Sequence, residues 1–138
     1  APTVRVTGRR VPLLCEAVIE DNLDWLRAHR PDPNALIERL SKVGYKPEPK
    51  GRDVYLPLWE LLNKGIGDCE DLVCAWVAVI RWLSIADVTA EPFVIERPQK
   101  RDHVSMRVCV GEKCFKVDVS LFHVGVMLRR VRNRNVSR

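Results

Sequence analysis

The nine-residue apolar run LVCAWVAVI at positions 72–80 limits what this chain can fold into more than any other stretch. It is far short of the ~18 residues needed to cross a bilayer. Read with its flanks it is a helix, because Leu72, Val73, Trp76, Val79, Ile80 and Leu83 fill a wide apolar stripe at helical spacing. Asp68 stands where an N-cap is needed, and Asp71 three residues later gives a capping-box spacing. A helix with so wide an apolar surface must be covered by the rest of the chain.

The flanking segments supply that cover. From Pro12, PLLCEAVIEDNLDWLRAHR places Leu14, Val18, Leu23 and Leu26 near helical spacing. PDPN at 31–34 breaks this helix, with Asp32 as N-cap and Pro33 as first residue of a second. That second helix puts Leu36, Ile37 and Leu40 on one face and stops at Gly44. YKPEPKGRD reads as a loop, and VYLPLWELLNKG as a short third helix ended by Gly65. After the central helix the character changes. DVTAEPFVIE is rich in β-branched residues, HVSMRVCV at 103–110 reads as a strand, GEK as a tight turn, and CFKVDVSLF as a returning strand. Helices first and strands second imply an α+β fold, with the central helix packed on a small antiparallel sheet. The expected layout is one domain over 1–128 and a basic tail over 129–138.

Charge and cysteine content set further bounds. Five of the 23 basic residues, and no acid, fall in the last ten positions; the 18 that remain match the 18 acids. The tail therefore carries the whole net charge of +5. Such a tail can serve solubility, or bind nucleic acid or an acidic surface. Residues 1–11 read as an extended basic arm, and the opening APTVRVTGRRVPLL lacks the continuous apolar core of a signal peptide. The five cysteines are Cys15, Cys69, Cys74, Cys109 and Cys114. With no secretory signal, their odd number predicts free thiols in a reducing, cytoplasmic compartment, and no membrane association.

The chemistry centres on Cys69. A thiolate at a helix start is stabilised by unpaired N–H groups and the helix dipole. Its acidic neighbours Glu70 and Asp71 oppose this, so a base has to assist. His103, opening a strand after a polar loop, is the candidate. An imidazole in turn needs an orienting acceptor. A two-residue turn at Gly111-Glu112 with glycine first suits type II′. That register sets Ser105 opposite Asp118 and makes His103 its diagonal neighbour on the same face, roughly 7–8 Å away.

The order GDCEDLVCAWVAVIRWLSI, then DHVSMRV, then KVDVS resembles the transglutaminase-like superfamily of papain-like fold. GDCED looks most like its bacterial and phage-type cysteine peptidases. The resemblance covers about residues 59–120. It implies Cys69 as nucleophile, His103 as general base and acid, and Asp118 as orienter. The spacings, 34 residues from Cys69 to His103 and 15 from His103 to Asp118, fit it. Members often carry an aromatic two residues after the histidine, where this chain has Ser105. The implied activity is hydrolysis of a peptide or amide bond through a Cys69 acyl-enzyme, with no cofactor or metal. If the chain is phage-encoded, a virion location is the expected alternative to the cytoplasm. For the oxyanion the Cys69 backbone N–H is one donor; the second is open among Tyr55, Trp59 and Asn63.

Three other readings compete. Lysine amines in place of water would make the same triad a protein cross-linker. The pairs Cys69/Cys74 and Cys109/Cys114 could hold structural zinc, although two cysteines five apart on a helix point about 140° from one another. A module without catalysis could act through the basic tail alone. Cys74, His29, His123 and the four tryptophans are read as structural.

Overall fold

A computed structural model of the chain describes residues 10–47, 55–95, 103–119, 124–126, 128 and 130. Of the expected arm over 1–11, residues 1–9 lie outside the described residues, as do most of the loop after Lys46, His123 and most of the tail; Arg10 and Val11 are already helical. The elements follow the expected order. Four helices, α1 (Arg10–His29), α2 (Pro33–Ser41), α3 (Leu58–Lys64) and α4 (Cys69–Leu83), precede strands β3 (Val88–Ile95), β4 (His103–Val110) and β5 (Lys113–Val117). Two short strands, β1 (Gly44–Tyr45) and β2 (Ile66–Gly67), lie between the helices. The class is α+β, and the sheet β3-β4-β5 is antiparallel throughout.

α4 is the core. Residues 71–80 are buried without a break, because α1 packs along one side and β3 and β4 along the other. Each fully buried Val, Leu or Ile there contributes about 1.5–3 kcal/mol. The sheet turns Ala90, Val104, Met106, Val108 and Val117 towards it, all buried. On α1 the buried stripe is Cys15, Ile19, Leu23 and Leu26. It is offset from the expected one, since Leu14 and Val18 are only partly covered. Asn22 lies on this stripe and is fully buried. Its Nδ2 donates to the Cys74 carbonyl at 3.3 Å, and its Oδ1 accepts from Leu58 N–H at 2.8 Å. That second bond matters because α3 begins at Pro57, which offers no side-chain cap. A helix start leaves N–H groups without partners, and here the acceptor comes from another helix.

The capping chemistry follows the residues at Asp32 and Gly65, but α2 ends at Ser41 with Lys42 as its C-cap, short of the expected stop at Gly44, which belongs to β1. Asp32 accepts Ala35 N–H at 2.9 Å and opens α2 with Pro33 in the first turn. Gly65 ends α3 at φ 75°, the left-handed turn that glycine adopts without penalty. The chain then runs through β2, which pairs in parallel with β1: Gly44 N–H donates to the Gly65 carbonyl and Lys46 N–H to that of Gly67, both at 2.9 Å. This bridge, which the loop-like composition of 45–53 does not suggest, ties the end of α2 to the turn that enters α4. Gly67 is needed there, since a Cβ would run into the Leu61 side chain.

One further expectation is corrected. Cys109 and Cys114, paired across β4 and β5, form a disulfide with Cα atoms 4.0 Å apart, so they are not free thiols. The bond takes away two of the four ligands that a zinc site would use, and disulfides persist chiefly in oxidising environments. Helical backbone is described at 124–126, 128 and 130. Among the described residues no helix is long and apolar enough to cross a membrane.

Candidate active site

Cys69 is the first residue of α4, and the turn before it is fixed on three sides. Asp68 is the N-cap, in extended backbone (φ −88°, ψ −176°). Its Oδ1 accepts Asp71 N–H at 3.0 Å, and Asp71 Oδ2 accepts Asp68 N–H at 3.2 Å, which completes the capping box. The other oxygen of Asp71 accepts Leu56 N–H at 2.8 Å, so the segment before α3 is tied to the same helix start. Cys69 is 9% exposed. It meets the sheet at β4, where the backbone of Val104 hydrogen-bonds it.

Val104 follows His103, and His103 Nε2 lies 3.1 Å from Asp118 Oδ2. Both side chains are partly exposed, at 17% and 32%. The hairpin explains the contact. Gly111 takes a positive φ of 61°, Val110 pairs with Lys113, and the ladder runs to Met106 opposite Val117. The ladder and β5 end there, one residue before Asp118; the same register carried one step on would set Ser105 opposite Asp118 and His103 on its diagonal, the placement that the glycine-first turn predicts. With a carboxylate at Nε2, the tautomer carries its proton there, and Nδ1 is the nitrogen left to exchange a proton with a thiol. The fold therefore bonds His103 to Asp118 and brings Cys69 to the same strand one residue along.

The electrostatics around the sulfur run against a resting thiolate. Burial, followed by the charges of Glu70 and Asp68, pushes the Cys69 thiol up to about 12, against the pull of backbone hydrogen bonds from Val104 and Glu70. The sulfur is protonated at rest, and its proton has to leave as the attack begins. The carboxyls beside it are displaced too. Burial, and then the charge of Asp68, raise both Glu70 and Asp71, and Asp68 hydrogen-bonds each of them. Such contacts between carboxyls require a proton, so the cluster keeps one into the neutral range. Folding then binds a proton that the unfolded chain releases. The stabilisation is complete below the ordinary carboxyl range near pH 4 and is lost as pH rises through the raised values. For one retained proton, stability should fall by about 1.4 kcal/mol per pH unit between those limits. Urea denaturation at several pH values checks this, and Glu70→Gln should flatten the slope.

Ser105 is fully buried, and its hydroxyl has no hydrogen-bond partner among the described residues. An unpaired buried hydroxyl costs about 1–3 kcal/mol. Ser105→Ala is therefore expected to leave stability unchanged or raise it, read as an equal or higher urea midpoint. A lower midpoint would mean that the hydroxyl is bonded in solution.

The remaining sequence candidates separate cleanly. Trp59 stacks on Trp25 at 6.0 Å, and Asn63 Oδ1 accepts from Arg39 at 3.2 Å. Tyr55 is buried and feels the charges of Asp68 and Glu70, which places it beside the start of α4. Cys74 is buried and donates to the Cys15 carbonyl at 3.7 Å. His29 stacks on Trp25 at 4.6 Å, as a structural histidine would. The charge of Glu70 on Cys69 is as the sequence predicts; the signal missed there is Asp68, marked by the pattern only as a cap, whose charge also acts on Cys69. Compared with protein-family models, with curated proteins and with solved structures, the chain matches none.

Proposed function

We propose that this chain is a thiol hydrolase that cleaves a peptide or amide bond through a Cys69 acyl-enzyme. The observation that carries the reading is the 3.1 Å His103–Asp118 bond on a strand whose next residue hydrogen-bonds the Cys69 sulfur. The resemblance to the transglutaminase-like superfamily supports it. In this mechanism Nδ1 of His103 takes the thiol proton as the sulfur attacks the substrate carbonyl. The Cys69 backbone N–H, one of those a helix start leaves without an intrahelical partner, faces the oxyanion, with the Tyr55 hydroxyl as the second donor. His103 then gives its proton to the leaving amine. Water, deprotonated by His103, releases the acid and restores the thiol. Asp118 holds the ring in the productive tautomer and stabilises the imidazolium. Because the thiol is protonated at rest, catalysis depends on this coupled transfer more than on a standing ion pair.

The test is labelling with a peptidyl electrophile such as an acyloxymethyl ketone, located by mass spectrometry. The adduct should form at Cys69, leave Cys15 and Cys74 unmodified, and be lost in His103→Ala. Adding a primary amine during turnover of a peptide substrate separates hydrolysis from transfer: free acid is expected and not the amide. An unlabelled Cys69 would overturn the reading.

A further inference from the structure

Roughly 20 Å along α4 from Cys69, given 1.5 Å per residue, a groove of about 490 Å³ opens where α1 and α4 end and α2 begins. Arg27, Arg30, Pro31, Pro33, Trp82 and Leu83 line it, with no acid among them. Its size lies within the range of small-molecule sites.

Two details set this groove apart from an ordinary solvated surface. Arg30 follows the last residue of α1 with φ 46°, closing the helix through its N–H to the Leu26 carbonyl at 2.8 Å. That left-handed position usually holds glycine, because other residues pay a steric penalty there. An arginine kept at such a site places a guanidinium at the groove. Trp82 is the second. It is half-buried and packs one side against the core, and no ring or cation contact engages it among the described residues, unlike Trp25 and Trp59, which stack on each other. Arg30 has no ion-pair partner among the described residues, and Arg27 has a weak, exposed one in Asp24 at 3.7 Å. Pro31 and Pro33 fix the backbone of the rim, so little order has to be gained on binding.

We propose that this groove binds a nucleotide unit, with the base stacked on Trp82 and the phosphate bridged by Arg27 and Arg30. An aromatic ring lining a groove beside guanidiniums is an arrangement by which proteins hold nucleotides without reading their sequence, and the fork of an arginine matches phosphate oxygens. The proposal is independent of the hydrolase reading.

The experiment uses the full chain, ¹⁵N-labelled, titrated with AMP while the Trp82 indole N–H and the Arg27 and Arg30 Nε–H signals are followed by NMR. These local signals keep binding by the tail apart. AMP should shift all three saturably, adenosine should bind at least tenfold more weakly, and added salt should weaken AMP. Arg30→Gly should lose at least tenfold in AMP affinity while melting no lower than the wild type, since glycine suits the left-handed position. Tighter binding of single-stranded oligothymidylate at the same signals identifies a strand as the source; tighter binding of AMP identifies the free nucleotide. The proposal is overturned if neither shifts Trp82, if Arg30→Gly binds AMP equally, or if an acidic peptide shifts these signals and AMP does not.

Discussion

Replacing His103 with alanine is expected to slow alkylation of Cys69 by about 10²-fold or more, the usual contribution of a positioned base, and to leave Cys15 and Cys74 unchanged. The reason lies in the thiol itself. Burial and two nearby carboxylates raise it to about 12, so at neutral pH almost none of it ionises unaided. Any prompt reaction must pass its proton to a neighbour, and the imidazole held by Asp118 is the neighbour the site provides. On a cleaved peptide the effect is larger. Cys69→Ala should fall to background. Asp118→Asn should lower kcat by as much as ~10⁴-fold, as removal of the orienting carboxylate does in the serine-protease triad, with KM nearly unchanged. Rapid-quench alkylation followed by peptide mapping reads the first result, and steady-state kinetics the others. Equal alkylation in wild type and His103→Ala would end the catalytic reading, whatever the fold.

The second large effect is on stability. Asn22→Ala is expected to cost about 2–4 kcal/mol, seen as a lower urea midpoint at unchanged slope. The substitution leaves the buried Leu58 N–H without an acceptor, worth about 1–3 kcal/mol, and opens a small cavity between α1 and α4. Asn22→Leu fills the volume and still loses the acceptor, so it should recover only part of the loss. Asn63→Ala, which breaks an exposed bond to Arg39, should change stability by less than ~0.5 kcal/mol. A loss below that figure for Asn22→Ala would show that water or backbone movement replaces its bonds.

What was legible in the chain was local. α4 starts and caps where Asp68 and Asp71 put it, β4 spans 103–110, and the glycine-first turn gives the register that carries Asp118 to His103. Those features depend on residues a few positions apart, and their signals are stereochemical. What the chain concealed depends on residues far apart. Asn22 could have been noticed as a polar residue among Ile19, Leu23 and Leu26, yet its partners at 58 and 74 have no signature. The parallel pair of β1 and β2 rests on two residues each, too short for any alternation. The disulfide was within reach, because the register that pairs Ser105 with Asp118 also pairs Cys109 with Cys114; the cysteine count pointed the other way. The raised thiol follows from desolvation, which no spacing rule measures.

The hairpin disulfide and the thiol make opposite demands on a buffer. Cys114 is exposed and Cys69 is not, so dithiothreitol added to protect the one reaches the other first. Protein purified with reductant and protein purified in air then differ covalently in the hairpin that sets His103 against Asp118. Activity compared across two laboratories would differ for a reason unrelated to substrate. Holding the thiol reduced with a small excess of a mild monothiol, and counting free sulfhydryls before each assay, would keep both sulfur states defined at once.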